Sequence, residues 1–377
     1  MRILILNHEF PPVGGGGGGA ARDVAFVLAE RDHEVVILTA HMQGLARVEQ
    51  IGRLKILRLP SLRSELHTAS LPAMTAYIAA GVYAGLRLIH TWRPDVIQAH
   101  FAVPAGVLAY ILSKASGIPY VITSHLGDVP GGVPEKTDRW FKWVYPFTPR
   151  IWKDAARVVA VSEYTRELAL EHYPVAMRVI PNGVDFDLIG DPSPVIHQPL
   201  RVVFSGRFVS QKNPLRVVEA LDALRDLDWH CTMMGDGTLK EQVEREIARR
   251  GLENRFTLTG WLEPEQVLEQ FKQSDILFMP SRIEAFPVTG VYALAVGLAI
   301  VASRVSGYMD MVEHGVNGFI YDPDDVKGMR EGLRILLSRP EILKEARERS
   351  LQKAHYFDIK SVADEYESLF HEILPGA

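Results

Sequence analysis

Two cations stand where a predicted strand gives way to a predicted helix. The apolar run LRVVFS (200–205) is followed by Arg207, and Lys212 comes just before Asn213 and Pro214, a pair typical of a helix start. Arginine offers a planar fork of donors and lysine a compact charge, and a helix N-terminus attracts anions. These features together predict a site for a diphosphate.

A carboxylate follows another predicted strand of the same half. Glu284 comes after DILFMP (275–280) and precedes a helix of small residues predicted to begin at about Pro287, where a missing N–H costs nothing. The amides of Val288 and Thr289 would then suit phosphate oxygens, and the Glu284 carboxylate would suit sugar hydroxyls. The alternative role for Glu284 is to complement the helix dipole.

Six consecutive glycines, 14–19, form a third candidate element. They match the dinucleotide fingerprint trivially, but no acidic residue follows the second predicted strand, which argues against a nicotinamide cofactor. A helix is predicted to begin near Ala20, so the amides of Gly15 and Gly16 could approach a phosphate. A flexible surface loop is the alternative.

The elements that must position these residues alternate between short β-branched runs and helical patterns. This predicts an α/β fold of two doubly wound, Rossmann-like domains, with ligands beyond the carboxyl ends of the strands and the active site in the cleft between the domains. Three prolines in 191–199 predict a linker. The expected domains are 1–190 and 200–355, and helix 356–377 either caps the second domain or crosses back to the first. The predicted strands are 2–7, 34–39, 54–59, 95–99, 119–123, 157–161, 200–205, 228–234, 255–259, 275–280, 298–303 and 318–321.

Length and composition agree with this organisation. The chain has 377 residues, which suits two domains, and its formal net charge of −5 lacks the basic field that nucleic-acid binding requires. The single cysteine, Cys231, stands in an apolar run and is expected to be buried and reduced. Residues 1–7 are too short for a signal-peptide core, and the uncharged stretch 71–86 is too short to span a membrane, which favours a buried helix and a cytoplasmic location.

Eight motifs, in order and spacing, resemble retaining glycosyltransferases of family 4. They are PPVGGGG (11–17), DVIQAHF (95–101), YVITSHLGD (120–128), IPNGVD (180–185), GRFVSQKN (206–213), MGDG (234–237), TGWL (259–262) and PSRIEAFPVTGVYALAVGLAIVAS (280–303). The resemblance implies the glycosyltransferase B fold. It also implies metal-independent transfer, with retention, of a sugar from a UDP- or GDP-linked donor to an acceptor hydroxyl, with no other cofactor.

The resemblance assigns roles by position. Arg207 and Lys212 would hold the donor diphosphate, Glu284 would bind donor sugar hydroxyls, and His125 would lie near the transferred sugar, so these four are the expected catalytic residues. Asp128 is a weaker candidate on the acceptor side. The expected donor contacts are Gly15, Gly16, Gly206, Arg207, Lys212, Gly235, Asp236, Gly260, Trp261, Leu262, Glu284, Phe286, Val288, Thr289 and Tyr292, of which 260–262 would line the base pocket with 235–237 close by.

One position departs from the family pattern. The family usually carries a second glutamate eight residues after the first, where it binds the nucleotide ribose, and Tyr292 occupies that position. A phenol can donate or accept one hydrogen bond but cannot bind two hydroxyls as a carboxylate does. A weaker ribose contact, an unusual donor, and a sugar-nucleotide-binding protein that has lost transfer all fit this substitution. A sugar-nucleotide epimerase of the same architecture is the other alternative.

Other stretches of the sequence bear on the acceptor and on a metal site. The D-x-D strings 185–187 and 322–324 stand in turn-like contexts, so turns are favoured over a metal site. Residues 139–153 combine four basic with six aromatic side chains, and 43–63 has five basic residues against one acidic. Both stretches suit sugar stacking or peripheral contact with the inner membrane face, whereas a core role for the aromatic residues is equally compatible. The expected acceptor is a glycan, lipid-linked or small-molecule hydroxyl in cell-surface glycan, glycolipid or lipopolysaccharide synthesis.

Overall fold

Contacts divide the chain into two units. The computed structural model describes residues 1–66, 68–132, 144–190, 192, 195–284 and 286–374. Unit 1 comprises Met1–Gly183 and Ile359–Ala377, and unit 2 comprises Val184–Asp358. The division therefore differs from the 190/200 boundary expected from the prolines. Its physical basis is the pairing of Val184 with the end of unit 2, since the Val184 amide donates to the Phe357 carbonyl at 2.9 Å. Residues 191, 193 and 194 of the expected linker lie outside the described residues.

Unit 1 is built on a mainly parallel sheet. Its described strands are β1 (Arg2–Leu6), β2 (Glu34–Ala40), β3 (Val48–Ile51), β4 (Leu54–Leu59), β5 (Val96–His100), β6 (Tyr120–Ser124), β7 (Arg157–Ala160) and β8 (Met177–Val179). Their order is β3-β4-β2-β1-β5-β6-β7-β8. The strand order reverses between β1 and β5, the switch point where ligands of such sheets bind.

Unit 2 carries a second sheet in which all the described pairings are parallel. Its strands are β9 (Leu200–Ser205), β10 (Trp229–Met234), β11 (Phe256–Gly260), β12 (Ile276–Met279), β13 (Ala299–Ser303) and β14 (Gly318–Tyr321). Their order, β11-β10-β9-β12-β13-β14, places the switch point between β9 and β12. The strand predictions in this half agree with the observed strands to within one residue at every end.

Helices cover the sheets. They are α1 (Gly16–Glu30), α2 (Leu71–Thr91), α3 (Val107–Ser116), α4 (Thr148–Lys153), α5 (Glu163–Leu170), α6 (Pro214–Asp222), α7 (Lys240–Arg249), α8 (Pro264–Lys272), α9 (Val288–Ala295), α10 (Gly307–Met311), α11 (Val326–Ser338), α12 (Pro340–Ala354) and α13 (Ile359–Ile373). Short 3₁₀ turns span Tyr145–Phe147, Phe186–Leu188, Glu253–Arg255 and His355–Phe357, and an irregular π turn spans Ala102–Gly106. No helix among the described residues is long and apolar enough to span a membrane.

Successive apolar residues of β1 belong to two separate cores on the two faces of the unit 1 sheet. Ile3 and Ile5 of β1 belong to a core shared with α1 and α13, whereas Leu4 and Leu6 belong to a core on the other face shared with α2 and α3. Successive side chains of a strand point to opposite faces, so a strand covered by helices on both sides must be apolar throughout. This is why MRILIL is an uninterrupted apolar run after Arg2.

The last helix, α13, belongs to unit 1. It buries Ile359, Val362, Ala363, Tyr366, Leu369 and Phe370 in the α1 core, and the Tyr366 hydroxyl lies 3.1 Å from the Thr123 hydroxyl. At the opposite end of the sheet the Glu367 carboxylate meets the His33 ring at 2.5 Å and pairs with Arg31. Of the two alternatives for the C-terminal helix, packing against the first domain is therefore the one observed.

Three helix predictions need correction. The first helix begins at Gly16 and not near Ala20, because the first turn of a helix needs no favourable side chain once later residues such as Val24 and Leu28 anchor it in the core. Pro287 is the N-cap residue of α9 and has a ψ of 102°, so it is not the first helical residue. The helix α2, which contains the uncharged stretch 71–86, is buried on one face only: of its described residues, Ala73, Tyr77, Gly81 and Gly85 are buried, and Tyr83 is 75% exposed.

Sequence patterns missed β8, which lies at one edge of the unit 1 sheet. They also missed β3, a short strand at the other edge. It pairs antiparallel with β4, Val48 opposite Leu57 and Ile51 opposite Leu54, and its side chains are largely exposed. An exposed edge strand needs no apolar alternation, so VEQI carried no signal. The hairpin also uses a basic residue of the 43–63 stretch: Arg58 is buried and donates to the Ala46 carbonyl and to Glu49.

Some side chains of the stretches 43–63 and 139–153 are buried and make internal contacts. Arg63 is buried and donates to the carbonyl oxygens of His8, Glu65 and Leu66. Trp152 is buried and stacks on Tyr173 with ring centroids 4.3 Å apart. Trp152 therefore has the core role that the sequence left open beside a docking role, and Arg58 and Arg63 are two basic residues of 43–63 with structural contacts. Residues 139–143 of the second stretch lie outside the described residues.

Two smaller predictions can be compared with the structure. Cys231 is fully buried, and burial raises the pKa of its thiol, as expected for an inert residue. Asp185 of the first D-x-D string accepts a hydrogen bond from the Asp187 amide at 2.9 Å, which is the turn interpretation, and Asp322 of the second lies 3.5 Å from Arg304.

Candidate active site

The loops that follow β9, β10 and β11 are joined by backbone hydrogen bonds. The Gly206 amide donates to the Met234 carbonyl at 2.9 Å, and the Gly235 amide donates to the Gly260 carbonyl at 2.8 Å. Gly235 has φ of +139°, and a Cβ there would lie 2.0 Å from the Gly206 carbonyl oxygen, so only glycine fits. Three candidate donor glycines, Gly206, Gly235 and Gly260, therefore lie together at the carboxyl ends of the unit 2 strands.

Lys212 and Glu284 form a buried ion pair at the same end of the unit 2 sheet. The Lys212 Nζ lies 2.6 Å from Glu284 Oε1 and 2.7 Å from Oε2, and the two side chains are only 16% and 5% exposed. Lys212 precedes α6, reached from β9, and Glu284 follows β12, so the strands on either side of the switch point supply one residue each. The sequence placed both residues in one site but did not predict that they bind each other.

Gln211 connects the two loops that carry this pair. Its carbonyl accepts from the Arg282 amide at 2.8 Å, and its side-chain amide donates to the Ile283 carbonyl at 3.0 Å. The loop 206–213 is thus hydrogen-bonded to the loop just before Glu284. This bridge holds together the loops that carry Lys212 and Glu284. No local pattern marks it, because the interaction joins residues that are distant in the chain.

Arg207 is a cation without a counter-charge in the described part of the chain. It is half-buried after β9, and no ion pair or side-chain hydrogen bond joins its guanidinium to another described residue. A partly desolvated guanidinium gains most from a bidentate anion. Arg207 is therefore a candidate for binding an anion, in the same loop as Lys212, whose own charge is paired with Glu284.

The first two turns of α9 present a partly exposed face. Val288, Thr289 and Tyr292 are half-buried and share one side of the helix by their spacing, whereas Val291 and 293–295 are buried. Phe286, just before the helix, is buried and lies near the start of α10, where a Cβ on Gly307 would be 2.9 Å from the Phe286 Cα. Tyr292 thus faces the same side as the helix-end residues expected to meet the donor.

Tyr308 lies beneath this face. It is fully buried, and burial together with the nearby Glu284 charge raises the pKa of its hydroxyl well above the usual value, while Thr289 acts in the opposite direction. The phenol therefore stays neutral, and it adds no charge beside the ion pair. Tyr308 was not among the predicted site residues, since nothing in GYMDM marks it.

A shallow groove beside α8 includes one of the residues expected to line the base pocket, Leu262. Thr259, Leu262, Gln266 and Gln270 are among the residues that line about 380 Å³ there. Trp261 is 58% exposed, and Gly260 takes φ of +73°. Asp236 is exposed, accepts from the Gly237 amide at 2.6 Å and pairs with Lys240 at 3.3 Å. The groove contains Leu262 but is bordered mainly by side chains of α8.

In unit 1 the glycine run meets a carboxylate that sequence reasoning missed. Glu9 follows β1, and its Oε2 accepts from the Gly15 amide at 3.0 Å. A Cβ on Gly14 would lie 2.5 Å from the Glu9 Cβ, and one on Gly17 would lie 2.6 Å from the Phe101 ring. The glycines thus allow α1 to begin against Glu9 and Phe101, and one expected phosphate-binding amide, that of Gly15, already has an internal acceptor. Gly16 is the first residue of α1.

His125 lies at the carboxyl end of β6 in contact with two residues of the β5 end. Its Nε2 lies 3.0 Å from the His100 Nδ1, and its ring centroid lies 4.7 Å from that of Phe101. Phe101 has φ of +71° and ψ of 132°, a conformation that costs about 1–3 kcal/mol for a residue with a Cβ and is often found at functional sites. His8 is buried against the other side of Phe101, with centroids 5.4 Å apart.

Asp128 is a structural support for this cluster. It is 2% exposed, and its carboxylate accepts from the Ala102 amide at 2.7 Å, the Ser124 hydroxyl at 2.9 Å and the His125 amide at 3.1 Å. Burial raises the pKa of this carboxyl group, although these hydrogen bonds oppose the rise. Because its contacts are internal, Asp128 fits a role in fixing the β5 and β6 ends better than the expected acceptor contact.

Three of the buried histidines of unit 1, His8, His100 and His125, should make stability depend on pH. Burial lowers the pKa of His8 to about 4 and of His125 to about 3, and burial followed by the neighbouring His125 lowers the pKa of His100 well below 6.5. Below pH 6.5 the unfolded chain therefore binds more protons than the folded chain, so stability is present above pH 6.5 and falls as the pH is lowered. Each histidine contributes a slope of about 1.4 kcal/mol per pH unit.

Urea unfolding between pH 7 and 5 measures this slope. We expect His100→Asn to reduce it by about one proton, whereas His90→Asn, at an exposed position of α2, should leave it unchanged. A free energy of unfolding that stays constant from pH 7 to 5 would contradict the prediction.

Comparisons with known proteins agree with this arrangement. A model described as Glycosyltransferase Family 4 matches residues 14–188, and one described as Glycosyl transferases group 1 matches residues 189–353. The 2-deoxystreptamine glucosyltransferase of Streptomyces kanamyceticus is 27% identical over 342 residues, covering 83% of this chain and 87% of that protein.

Solved structures share the fold. Sucrose-phosphate synthase from Thermosynechococcus elongatus matches with a TM-score of 0.85 at 18% identity, covering 99% of each chain. Anabaena Alr3699/HepE in complex with UDP and glucose matches with a TM-score of 0.76 at 20% identity, covering 99% of this chain and 100% of that one. The chain therefore has the glycosyltransferase B fold and belongs to the group 1 glycosyltransferases of family 4, enzymes that transfer sugar from sugar nucleotides.

Proposed function

We propose that unit 2 binds a nucleotide-diphosphate sugar, UDP- or GDP-linked, and that the enzyme transfers its sugar to an acceptor hydroxyl with retention at the anomeric carbon. The observation that carries the proposal is the half-buried Arg207 beside the Lys212–Glu284 pair, at the switch point of the unit 2 sheet. The bound UDP of the Anabaena protein and the glucosyl transfer named for the Streptomyces enzyme support this choice of donor.

The proposed chemistry places cations where negative charge develops. The bond between the anomeric carbon and the diphosphate breaks, so charge grows on the leaving diphosphate while the sugar becomes oxocarbenium-like. Arg207, Lys212 and the first amides of α9 stabilise that charge, and Glu284 accepts hydrogen bonds from sugar hydroxyls. Neutralisation by these groups is the basis for proposing that no metal is required, and turnover that persists in excess chelator is the matching check.

Retention follows if the acceptor attacks the face that the diphosphate leaves. The acceptor oxygen then bonds to the anomeric carbon, and its proton passes to an oxygen of the departing diphosphate. No protein carboxylate needs to form a covalent intermediate. The anomeric configuration of the product, read from its NMR coupling constant, separates this route from inversion.

The acceptor is proposed from unit 1. His125, Phe101 and the glycine run offer one polar and one aromatic contact beside exposed backbone, which suits a hydroxylated ring. The Streptomyces relative is named for a small cyclic acceptor, whereas synthesis of a cell-surface glycan, glycolipid or lipopolysaccharide is the wider proposal. Peripheral membrane contact is part of this proposal, because the aromatic side chains of Tyr83 and Phe147 are exposed. Sedimentation with anionic vesicles tests it.

Substitution of Arg207 tests the donor site. We expect Arg207→Ala to weaken UDP or GDP binding about 10- to 100-fold in calorimetry, since a charge-assisted hydrogen bond contributes about 1.5–3 kcal/mol. Arg245→Ala is the control, because that guanidinium is 71% exposed on α7 and pairs only with Glu241 across one helical turn among the described residues. Unchanged affinity in Arg207→Ala would remove the basis for the proposed diphosphate site.

The same assays separate the other candidate functions. Sugar-nucleotide turnover without an added acceptor would favour an epimerase, which the family match does not favour. Donor binding without hydrolysis or transfer over a broad acceptor panel would favour a binding protein, and Tyr292 is the observation that keeps this candidate. A thermal-shift screen of nucleotide sugars identifies the donor first, because a ligand at 100 times its Kd stabilises by about 2.7 kcal/mol.

A further inference from the structure

The imidazoles of His100 and His125 form an isolated pair at the carboxyl ends of β5 and β6. The rings are 2% and 6% exposed by residue, their planes are 23° apart, and one hydrogen bond of 3.0 Å joins His100 Nδ1 to His125 Nε2. The other nitrogen of His100, Nε2, is buried and has no hydrogen-bond partner among the described residues. We propose that His100 is a positioning residue that fixes the tautomer of His125, so that His125 presents an N–H at Nδ1.

The burial of the pair supports two neutral rings. Desolvation disfavours the imidazolium form, and a second cation 3.0 Å away would disfavour it further. Two neutral rings share a single proton in their hydrogen bond, so one ring donates and the other accepts. The choice of donor then determines where the remaining proton of each ring resides.

The unpartnered His100 Nε2 decides between the two arrangements. If His125 Nε2–H donated, His100 would have to carry its own proton on Nε2, leaving an N–H buried without an acceptor. Buried N–H groups without partners are rarer in proteins than incompletely satisfied acceptors. His100 therefore donates from Nδ1, His125 accepts at Nε2, and the His125 proton is on Nδ1.

The surroundings of His125 give this tautomer a use. A Cβ added to Gly17 would lie 3.4 Å from the His125 Cγ, so the ring of His125 lies next to the glycine run. Asp128 holds the His125 amide, and Phe101 packs on the ring. A proton on Nδ1 gives His125 a hydrogen-bond donor next to the glycine run, which suits a hydroxyl or phosphoryl oxygen of the substrate. A general base there would instead need an unprotonated Nδ1.

The role in catalysis rests on the proposed function, but the tautomer can be measured without substrate. Long-range ¹H–¹⁵N spectra of histidine-labelled protein distinguish protonated from bare ring nitrogens, and His125→Gln assigns the His125 signals. We expect the Nδ1–H tautomer in the wild type and in His100→Asn, whose side-chain amide can donate from the position of the imidazole Nδ1. We expect loss of that single tautomer in His100→Leu. An Nε2–H tautomer of His125 in the wild type would overturn the proposal, whether or not transfer activity is found.

Kinetics supply the second readout. With an identified donor and acceptor, His100→Leu should lower kcat about 10- to 100-fold with less than a threefold change in the donor KM, and His100→Asn should restore most of the rate. His90→Leu, an exposed histidine of α2, is the control and should match the wild type. Equal kcat values for His100→Leu and His100→Asn would count against a positioning role. Absence of transfer by the wild type would instead contradict the proposed function and leave the tautomer result standing.

Discussion

Replacing Lys212 by methionine is expected to lower kcat/KM by about 10²- to 10³-fold, the loss typical when one charge-stabilising donor is removed from an active site. The same substitution should also destabilise unit 2, because it leaves the Glu284 carboxylate 5% exposed without its partner at 2.6 Å. Breaking a buried pair costs about 3–5 kcal/mol, and the 16% exposure of Lys212 places this pair at the lower end.

A double substitution separates the two effects. Lys212→Met with Glu284→Leu replaces both charges by apolar groups of similar size, which is often neutral for stability. We therefore expect the free energy of unfolding to recover in the double variant while kcat/KM stays low. Lys272→Met, at an exposed pair with Glu269, is the matched control and should change neither quantity. Recovery of activity together with stability would mean that the pair is only structural.

Removal of residues 359–377 is expected to abolish folding of unit 1. The helix α13 buries six apolar residues in the core that it shares with α1, and each large one contributes about 1.5–3 kcal/mol. The sum is on the order of 10 kcal/mol, as large as the whole stability of a typical domain. Circular dichroism and limited proteolysis of the shortened chain measure the loss.

A point substitution gives a graded version of this result. Leu369→Ala, at a fully buried position, should lower the free energy of unfolding by about 2–5 kcal/mol, whereas Ser368→Ala, exposed on the same helix, should leave it unchanged. A shortened chain that unfolds cooperatively at the wild-type midpoint would show that α13 is dispensable.

Local patterns predicted the sheets well because their strands are covered on both faces. A strand such as β1, which is covered on both faces, is apolar at every position after Arg2, and an uninterrupted short run of this kind is a strong local signal. The same logic explains the failures: β3 is an exposed edge strand, and the start of α1 depends on packing of Val24 and Leu28 that a run of glycines does not reveal.

The candidate site divides in the same way. Arg207, Lys212 and Glu284 carry a local signal, since charged residues directly after apolar strands are conspicuous, and the fold brings the last two within 2.7 Å. His100 and Glu9 carry none, because their meaning depends on partners brought by other strands: His125 for the first, the Gly15 amide for the second. The roles of Arg207, Lys212 and Glu284 in the reaction are predictions that the variants test.

The return of α13 to unit 1 sets the order in which the chain can fold during synthesis. After Gly183 leaves the ribosome, unit 1 still lacks the helix that closes its core, and all of unit 2 must be made before Ile359 appears. At about 5–20 residues per second, this delay is on the order of ten seconds or more. The apolar surface of α1 and the odd-numbered side of β1 remain open during that time, so the first half of the protein is the part most dependent on chaperones, although it is made first.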